Sequence, residues 1–134
     1  MDPVLLDASF LIDLEKEIEG GQPGPAMAWL RANRTLPDRP LIVSCVSVAE
    51  FLEGFDDERR GMSFILRFIP QLLGFKQAKR CAEVQRRARR QGRRFGENDA
   101  WQIAFADCTG AAIVARDRRA FVHLGRRYEQ YSAR

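Results

Sequence analysis

Short apolar runs alternate with segments of helical periodicity along the chain. Three runs predict buried parallel strands over residues 4–6, 41–45 and 111–115, and weaker patterns predict two more, over 72–75 and 128–131. Helical patterns separate these runs. Such alternation is typical of an α/β fold, with helices on both faces of a mainly parallel sheet. No repeat or linker interrupts the pattern, so residues 1–134 are predicted to form a single domain.

The predicted helices have recognisable ends. Ser47 is followed three residues later by Glu50, a spacing that matches a capping box and predicts Ser47 as an N-cap. Asp57 can cap the next helix. After a basic helix over residues 76–94, Asn98 or Asp99 is predicted to cap an apolar helix that ends before Gly110. An apolar helix of this kind belongs in the middle of a layer.

Composition limits the function classes. The formal net charge is +4 and the pI is about 9.3, which permits a polyanionic partner without requiring one. The three cysteines are isolated from one another and odd in number, which favours free thiols and a cytoplasmic location over a disulfide framework. Neither a basic leader nor an apolar run of about 20 residues is present, so we expect no membrane segment.

Four acids fall at the ends of predicted elements. Asp7 ends the first strand, Glu50 lies one turn into the helix after the second, Asp99 begins the apolar helix, and Asp117 follows a later strand. In a parallel sheet, all four positions face the same edge. Carboxylates gathered there repel one another unless a cation lies among them. Oxygen ligands alone favour a hard divalent ion such as Mg²⁺ or Mn²⁺.

Each acid also has a simpler interpretation. Asp7 and Asp99 could be only N-caps, Glu50 only the partner in a capping box, and Asp117 only the start of a turn. These roles do not exclude metal binding, since a capping carboxylate has further lone pairs. Asp107 is different, because it lies about 12 Å beyond Asp99 along a helix, and a helix-end or surface role is expected for it.

Short motifs follow one another in a fixed order along nearly the whole chain. They are Asp7 with Ser9, Ser47-Val48-Ala49-Glu50 with Gly54, Asn98-Asp99 followed by Ile103-Ala104, and Arg116-Asp117 with Phe121. This series resembles the PIN-domain ribonucleases, and within them the VapC-type toxins of bacterial and archaeal toxin–antitoxin pairs. The resemblance implies a Rossmann-like α/β/α sandwich with a central, mainly parallel sheet.

The resemblance also implies roles for individual residues. Asp7 and Asp99 would be the principal ligands of Mg²⁺ or Mn²⁺, and Glu50 and Asp117 would complete the cluster directly or through water. Ser9 would hold a ligand water or orient Asp7. The chain would then cut RNA by means of metal-activated water and have a cognate antitoxin. Many relatives carry another acid shortly after the last motif, where this chain has Arg118-Arg119-Ala120, so the number of metal ions stays open.

Two further surfaces are candidates for binding. Arg86, Arg90 and Arg94 recur at helical spacing and are either a solvated face or a stripe that contacts RNA phosphates. The aromatic middle of the chain, between residues 51 and 68, is mostly expected in the core. Any surplus apolar surface there would suit a homodimer or an antitoxin segment.

Two alternatives to a ribonuclease remain open. Asp7-Ala8-Ser9 after a strand could be the nucleophile loop of a haloacid-dehalogenase-like phosphatase, although that chemistry requires a second aspartate at the position of Ser9. The chain could instead be a non-catalytic PIN-like module that binds RNA or a protein. Retention of all four acids argues against that alternative.

Overall fold

A computed structural model describes residues 3–34 and 39–132, in which a parallel sheet lies between helices. The elements in chain order are β1 (Val4–Leu6), α1 (Ala8–Gly20), α2 (Pro25–Arg34), β2 (Leu41–Ser44), α3 (Cys45–Leu52), α4 (Glu58–Ile65), β3 (Ile69–Gln71), α5 (Phe75–Arg90), α6 (Glu97–Thr109), β4 (Ala112–Ala115), α7 (Arg118–Phe121), a 3₁₀ segment (Val122–Arg127) and β5 (Tyr128–Gln130). None of the helices in the described ranges is long and apolar enough to cross a membrane.

The sheet has the strand order β3-β2-β1-β4-β5, and every pair is parallel. β1 lies at the centre, with Leu5 paired to Ile42 on one side and to Ile113 on the other. The chain winds outward from β1 through β2 and β3, and then returns to the other side of β1 to form β4 and β5. This reversal creates a switch point between the carboxyl ends of β1 and β4, where α/β folds place ligands.

The alternating side chains of β1 face two separate apolar layers. Val4 and Leu6 pack with α1–α4, whereas Leu5 packs with the cluster formed by α5, α6 and α7. All three side chains are fully buried. Burial on both faces explains why β1 is a continuous apolar run, and it confirms the predicted α/β/α architecture.

The aromatic middle of the chain lies mainly in the core, as predicted. Phe51, Phe64 and Phe68 are buried, and the Phe51 and Phe64 rings stack with centroids 5.2 Å apart. The larger exposed apolar side chains lie further along, where Leu72 is 83% and Phe75 is 84% exposed. The exposed apolar surface therefore surrounds β3 and the start of α5.

The prediction of a strand over residues 72–75 is wrong. The strand at this place is β3, Ile69–Gln71, which pairs with β2 at the edge of the sheet, and α5 begins at Phe75. Pro70 lies within this strand. An edge strand tolerates proline because one side of the strand has no neighbour that needs its N–H group.

Two predicted helix caps are also wrong. α3 begins at Cys45, and its cap is Ser44, whose Oγ accepts a hydrogen bond from the Ser47 N–H at 3.1 Å. Ser47 is therefore inside the helix. Likewise α6 begins at Glu97 after Gly96, so neither Asn98 nor Asp99 is its N-cap. In both cases the helix starts earlier than the pattern predicted: α3 follows directly on the end of β2, and α6 begins after Gly96 without a side-chain cap.

Candidate functional site

The four predicted acids lie at the carboxyl edge of the sheet and act on one another electrostatically. Burial, followed by the charges of Asp7 and Asp99, raises the pKa of Glu50. Burial, followed by the charges of Asp7 and Asp117, raises the pKa of Asp99 to about 6. These mutual effects connect all four carboxylates. The structure therefore brings together the residues that the sequence assigned to one edge.

Asp7 caps α1 and faces the site at the same time. Its Oδ2 accepts hydrogen bonds from the backbone N–H of Ser9 at 3.2 Å and from Ser9 Oγ at 2.8 Å. The Asp7 N–H donates to the carbonyl of Val114 in β4 at 3.0 Å. Ser9 Oγ also accepts from the Arg116 N–H at 3.2 Å. These bonds hold the end of β1 against the end of β4, with the carboxylate at the switch point.

Gln102 makes the other contact to Asp7, and sequence reasoning missed it. This side chain is fully buried in α6, one turn after Asp99. Its Nε2 donates to Asp7 Oδ1 at 3.2 Å and to Ser47 Oγ at 2.7 Å. The available signal was a single glutamine within the apolar middle of the helix, residues 100–106. A fully buried amide requires hydrogen-bond partners, so such a residue indicates a buried polar group nearby.

Among the remaining acids, Asp117 has partners that agree with both interpretations considered from the sequence, whereas Glu50 does not complete a capping box, because Ser44 caps α3. Asp117 caps α7, where its Oδ1 accepts from the N–H groups of Arg119 at 2.9 Å and Ala120 at 3.4 Å. A hydrogen bond from the Asn98 side chain lowers the pKa of Glu50, against the larger effect of burial. Capping and membership of the acidic cluster therefore occur together at Asp117.

Asp107 lies outside the cluster, as expected. Its carboxylate pairs with Arg80 Nε at 2.7 Å and with Arg127 Nη1 at 2.9 Å. These contacts join the second half of α6 to α5 and to the end of the 3₁₀ segment. They give Asp107 a structural role, and they raise the pKa of Arg80.

The predicted stripe of three arginines is wrong at one position. α5 ends at Arg90, and Gly92 has a φ of 70°. The Arg93 N–H then donates to the Ala88 carbonyl at 2.8 Å, as in a Schellman motif. Arg94 comes after this turn, so it does not share a helical face with Arg86 and Arg90. The spacing of charges alone does not show that Gly92 adopts a left-handed conformation and ends the helix before Arg94.

A second network, also missed from the sequence, supports the site from outside. Tyr131 Oη donates to the Ser9 carbonyl at 3.0 Å and to Asp13 Oδ2 at 2.6 Å. Arg116 Nη1 pairs with Asp13 at 3.1 Å. Burial and the bond to Asp13 raise the pKa of Tyr131. Because Tyr131 follows the last strand, these hydrogen bonds connect the C-terminal part of the described chain to the start of α1.

The four acidic side chains lie near one another but do not form a preformed metal site in the described part of the chain. Among the residues that the structure describes, no three His, Cys, Asp or Glu side chains lie close enough together to hold one ion. The carboxylates are nevertheless near enough to raise the pKa values of Glu50 and Asp99. The donor set consists of carboxylate oxygens, which fits a hard divalent cation once side chains rotate or water bridges them.

Comparison with known proteins gives a family and a fold. A family model described as PIN domain matches residues 4–127. A toxin–antitoxin complex from Klebsiella pneumoniae superposes with a TM-score of 0.75 at 18% identity, covering 96% of this chain and 98% of the other.

Two further solved structures are similar. VapBC-1 from nontypeable Haemophilus influenzae has a TM-score of 0.76 at 19% identity, with coverage of 96% and 98%. DNA-bound VapBC from Salmonella typhimurium has a TM-score of 0.75 at 19% identity, with coverage of 98% and 100%. A search of curated proteins finds no match. At these identities the solved structures establish the fold, while the family model establishes the family.

Proposed function

Because this chain belongs to the PIN-domain family, we propose that it is a metal-dependent endoribonuclease and the toxin of a toxin–antitoxin pair. The observation that supports this most strongly is the electrostatic coupling of Asp7, Glu50, Asp99 and Asp117 at the switch point of the sheet. Burial, and then the charges of Asp7 and Asp117, raise the pKa of Asp99 to about 6, and a divalent cation would relieve the repulsive part of this effect.

The proposed ligands are Asp7 and Asp99, with Glu50 and Asp117 acting directly or through water. When bound, Mg²⁺ or Mn²⁺ supplies activation of water and neutralisation of charge at the phosphorus. The chain's own contribution is orientation, since Ser9 holds one carboxylate oxygen of Asp7. Buried apolar residues beneath the cluster limit the access of water from the core side.

The proposed mechanism predicts the chemistry of the products. If water attacks the phosphorus and the P–O3′ bond breaks, the 3′-oxygen leaves as a hydroxyl and the products carry a 5′-phosphate and a 3′-hydroxyl, with no RNA 2′-hydroxyl acting as nucleophile. The test incubates the purified chain with end-labelled RNA and Mn²⁺ and maps the termini. Cyclic phosphate ends, or cleavage that persists in EDTA, would contradict the proposal.

Arg86 and Arg90 are the proposed RNA contacts, because Arg94 lies beyond the end of α5. Both are exposed near the carboxyl end of α5, four residues apart and therefore on one face. Within the described ranges, neither lies within ion-pair distance of a carboxylate. An acidic site repels RNA, so a nearby cationic surface is needed to offset that repulsion.

An antitoxin is the proposed protein partner. The similar solved structures include toxin–antitoxin complexes. In this chain, a groove of about 680 Å³ runs beside the acidic cluster, and its lining includes Ile12, Phe55, Glu15, Asp56 and Glu50. Its mixture of apolar and acidic groups fits a segment with apolar side chains and a basic residue. We propose that such a segment places its cation against the cluster and excludes RNA.

A homodimer is proposed on a different surface. Five of the larger exposed apolar side chains fall within ten residues around β3, namely Leu66, Ile69, Leu72, Leu73 and Phe75. Apolar groups concentrated in this way mark an interaction surface more often than isolated ones do. A second copy is the proposed occupant, and the test is the oligomeric state in solution.

The alternative functions have less support from the geometry. In a haloacid-dehalogenase-like phosphatase, the position of Ser9 would carry an acid, whereas here Ser9 donates a hydrogen bond to Asp7. That chemistry also requires a separately placed lysine, and Lys76, which lies just after a strand candidate, lines a cavity with Asp107 and Gly110 rather than with the acidic cluster. A non-catalytic module would bind RNA tightly with Mn²⁺ and leave it intact, which the same assay detects.

A further inference from the structure

Gln102 lies at the centre of a buried polar network that joins three elements. Its Nε2 donates to Asp7 Oδ1 at the end of β1 and to Ser47 Oγ in α3, at 3.2 and 2.7 Å. Its Oε1 accepts from Ser44 Oγ, at the end of β2, at 2.5 Å. Gln102, Ser44 and Ser47 are all fully buried. Water is therefore excluded from the bonds among Gln102, Ser44 and Ser47, whereas Asp7 itself is half-buried at the edge of the site.

The network allows only one orientation of the amide. A carboxylate only accepts hydrogen bonds, so the amide group that faces Asp7 must be the NH₂. The amide oxygen then faces Ser44, whose hydroxyl can donate to it. A flipped amide would place its oxygen against the Asp7 carboxylate. The Asp7 carboxylate therefore fixes the direction of the amide, and the hydroxyls of Ser44 and Ser47, which can donate or accept, complete its hydrogen bonds.

The effect on Asp7 is to hold its carboxylate from two sides. Gln102 donates to Oδ1, while Ser9 donates to Oδ2 through its N–H and its hydroxyl. Donors on both oxygens fix the plane of the group. Each carboxylate oxygen has two lone pairs, so Oδ1 keeps one that is not used by Gln102. This free position is where a cation would bind.

We propose that Gln102 is a positioning residue that holds Asp7 in the orientation required for binding a divalent cation. The inference rests on the proposed function, because it assigns Asp7 as a ligand. Gln102 itself does not contact the ion. Partners that orient a ligand in this way typically contribute about tenfold to hundredfold in metal affinity.

The test is the Mn²⁺ affinity of the full chain, measured by calorimetry without RNA. Gln102→Met keeps an unbranched side chain but removes the donor, and Ser44 Oγ retains Ser47 Oγ as a partner at 3.4 Å. We expect the affinity to fall by about tenfold to hundredfold. The matched control is Thr109→Val in the same helix, whose hydroxyl bonds only to the Phe105 and Ala106 carbonyls. It should bind Mn²⁺ as the wild type does.

A double-mutant cycle separates positioning from a general structural defect. If Gln102 acts through Asp7, then Gln102→Met should have no further effect on Mn²⁺ affinity in an Asp7→Asn background. Equal losses in both backgrounds would overturn the inference, as would a folded Gln102→Met variant with wild-type affinity. A wild-type chain that binds no Mn²⁺ would instead refute the proposed function, so the two failures are distinguishable.

A second measurement applies if Gln102→Met does not fold. In ¹⁵N-labelled wild-type protein, the side-chain amide resonance of Gln102 should shift when Mg²⁺ is added, because Asp7 then shares its charge with the ion. The same resonance should move in Asp7→Asn, which lacks the anionic acceptor. A resonance that is unchanged in both experiments would overturn the inference.

Discussion

Replacing Asp99 with asparagine should stabilise the metal-free protein at neutral pH. Burial, Asp7 and Asp117 raise the pKa of Asp99 from 3.8 to about 6, so ionisation is less favourable in the folded chain than in the unfolded one. Below about pH 4 both states are protonated and the folded state carries no penalty. Between about pH 4 and 6 the unfolded chain ionises first, so stability falls as the pH rises, and above about 6 the full penalty is present.

The size of this effect follows from the same two pKa values. At about 1.36 kcal/mol per pKa unit, the raised pKa of Asp99 corresponds to an upper bound of about 3 kcal/mol. Asp99 is partly exposed, so solvent screening reduces the expected gain to about 1–2 kcal/mol. For a chain of this size, each kcal/mol changes Tm by about 3–5 °C. Asp99→Asn should therefore melt several degrees above the wild type at pH 7, and this difference should shrink steadily as the pH falls towards 4.

The assay is thermal unfolding in EDTA from pH 4 to pH 8, followed by circular dichroism. Asp107→Asn is the matched control, since it makes the same chemical change in the same helix but breaks the pairs with Arg80 and Arg127. It should lower stability at pH 7 by about 1 kcal/mol. A gain for Asp99→Asn that is independent of pH, or a loss at pH 7, would refute the electrostatic account of the site.

Three further predictions concern partners. The double substitution Arg86→Gln with Arg90→Gln should lower the slope of log affinity for RNA against log salt by about 1.4, at about 0.7 per lost contact to a single strand. The affinity is measured on an Asp99→Asn background, which prevents cleavage. An unchanged slope would mean that these arginines are only a solvated face. A crosslinked antitoxin should map to the groove beside Glu50, and crosslinks at the opposite sheet edge would contradict that site. Phe75→Asp should convert a dimer to a monomer in analytical ultracentrifugation. A wild-type protein that stays monomeric at high concentration would contradict the proposed dimer interface.

The sequence predicted the features that depend on local pattern. Asp7 follows a continuous apolar run that must be buried on both faces, so its place at the carboxyl edge follows from the strand itself. Gly110 ends α6 with a φ of 70°, a conformation that glycine adopts without strain. The parallel order of strands around β1 follows from the alternation of strands and helices.

Other features depend on contacts that local pattern does not encode. Tyr131 reaches Asp13 across 118 positions, and Gln102 reaches Asp7 across 95. Nothing near either residue in sequence indicates its partner. The capping box at Ser47 failed for a related reason, because the end of β2, fixed by its pairing with β1 and β3, made Ser44 the cap. Side-chain type was a good guide to chemistry at these positions and a poor guide to exact boundaries.

The most direct test of the central claim is RNA cleavage by three variants in Mn²⁺, at a temperature where all are folded. Asp7→Asn and Asp99→Asn each remove a proposed ligand charge with almost no change in volume, whereas Asp107→Asn makes the same change away from the cluster. We predict that the wild type and Asp107→Asn cut RNA and that the other two do not. Full cleavage by folded Asp7→Asn or Asp99→Asn would contradict the assignment of the acidic cluster as the site of hydrolysis.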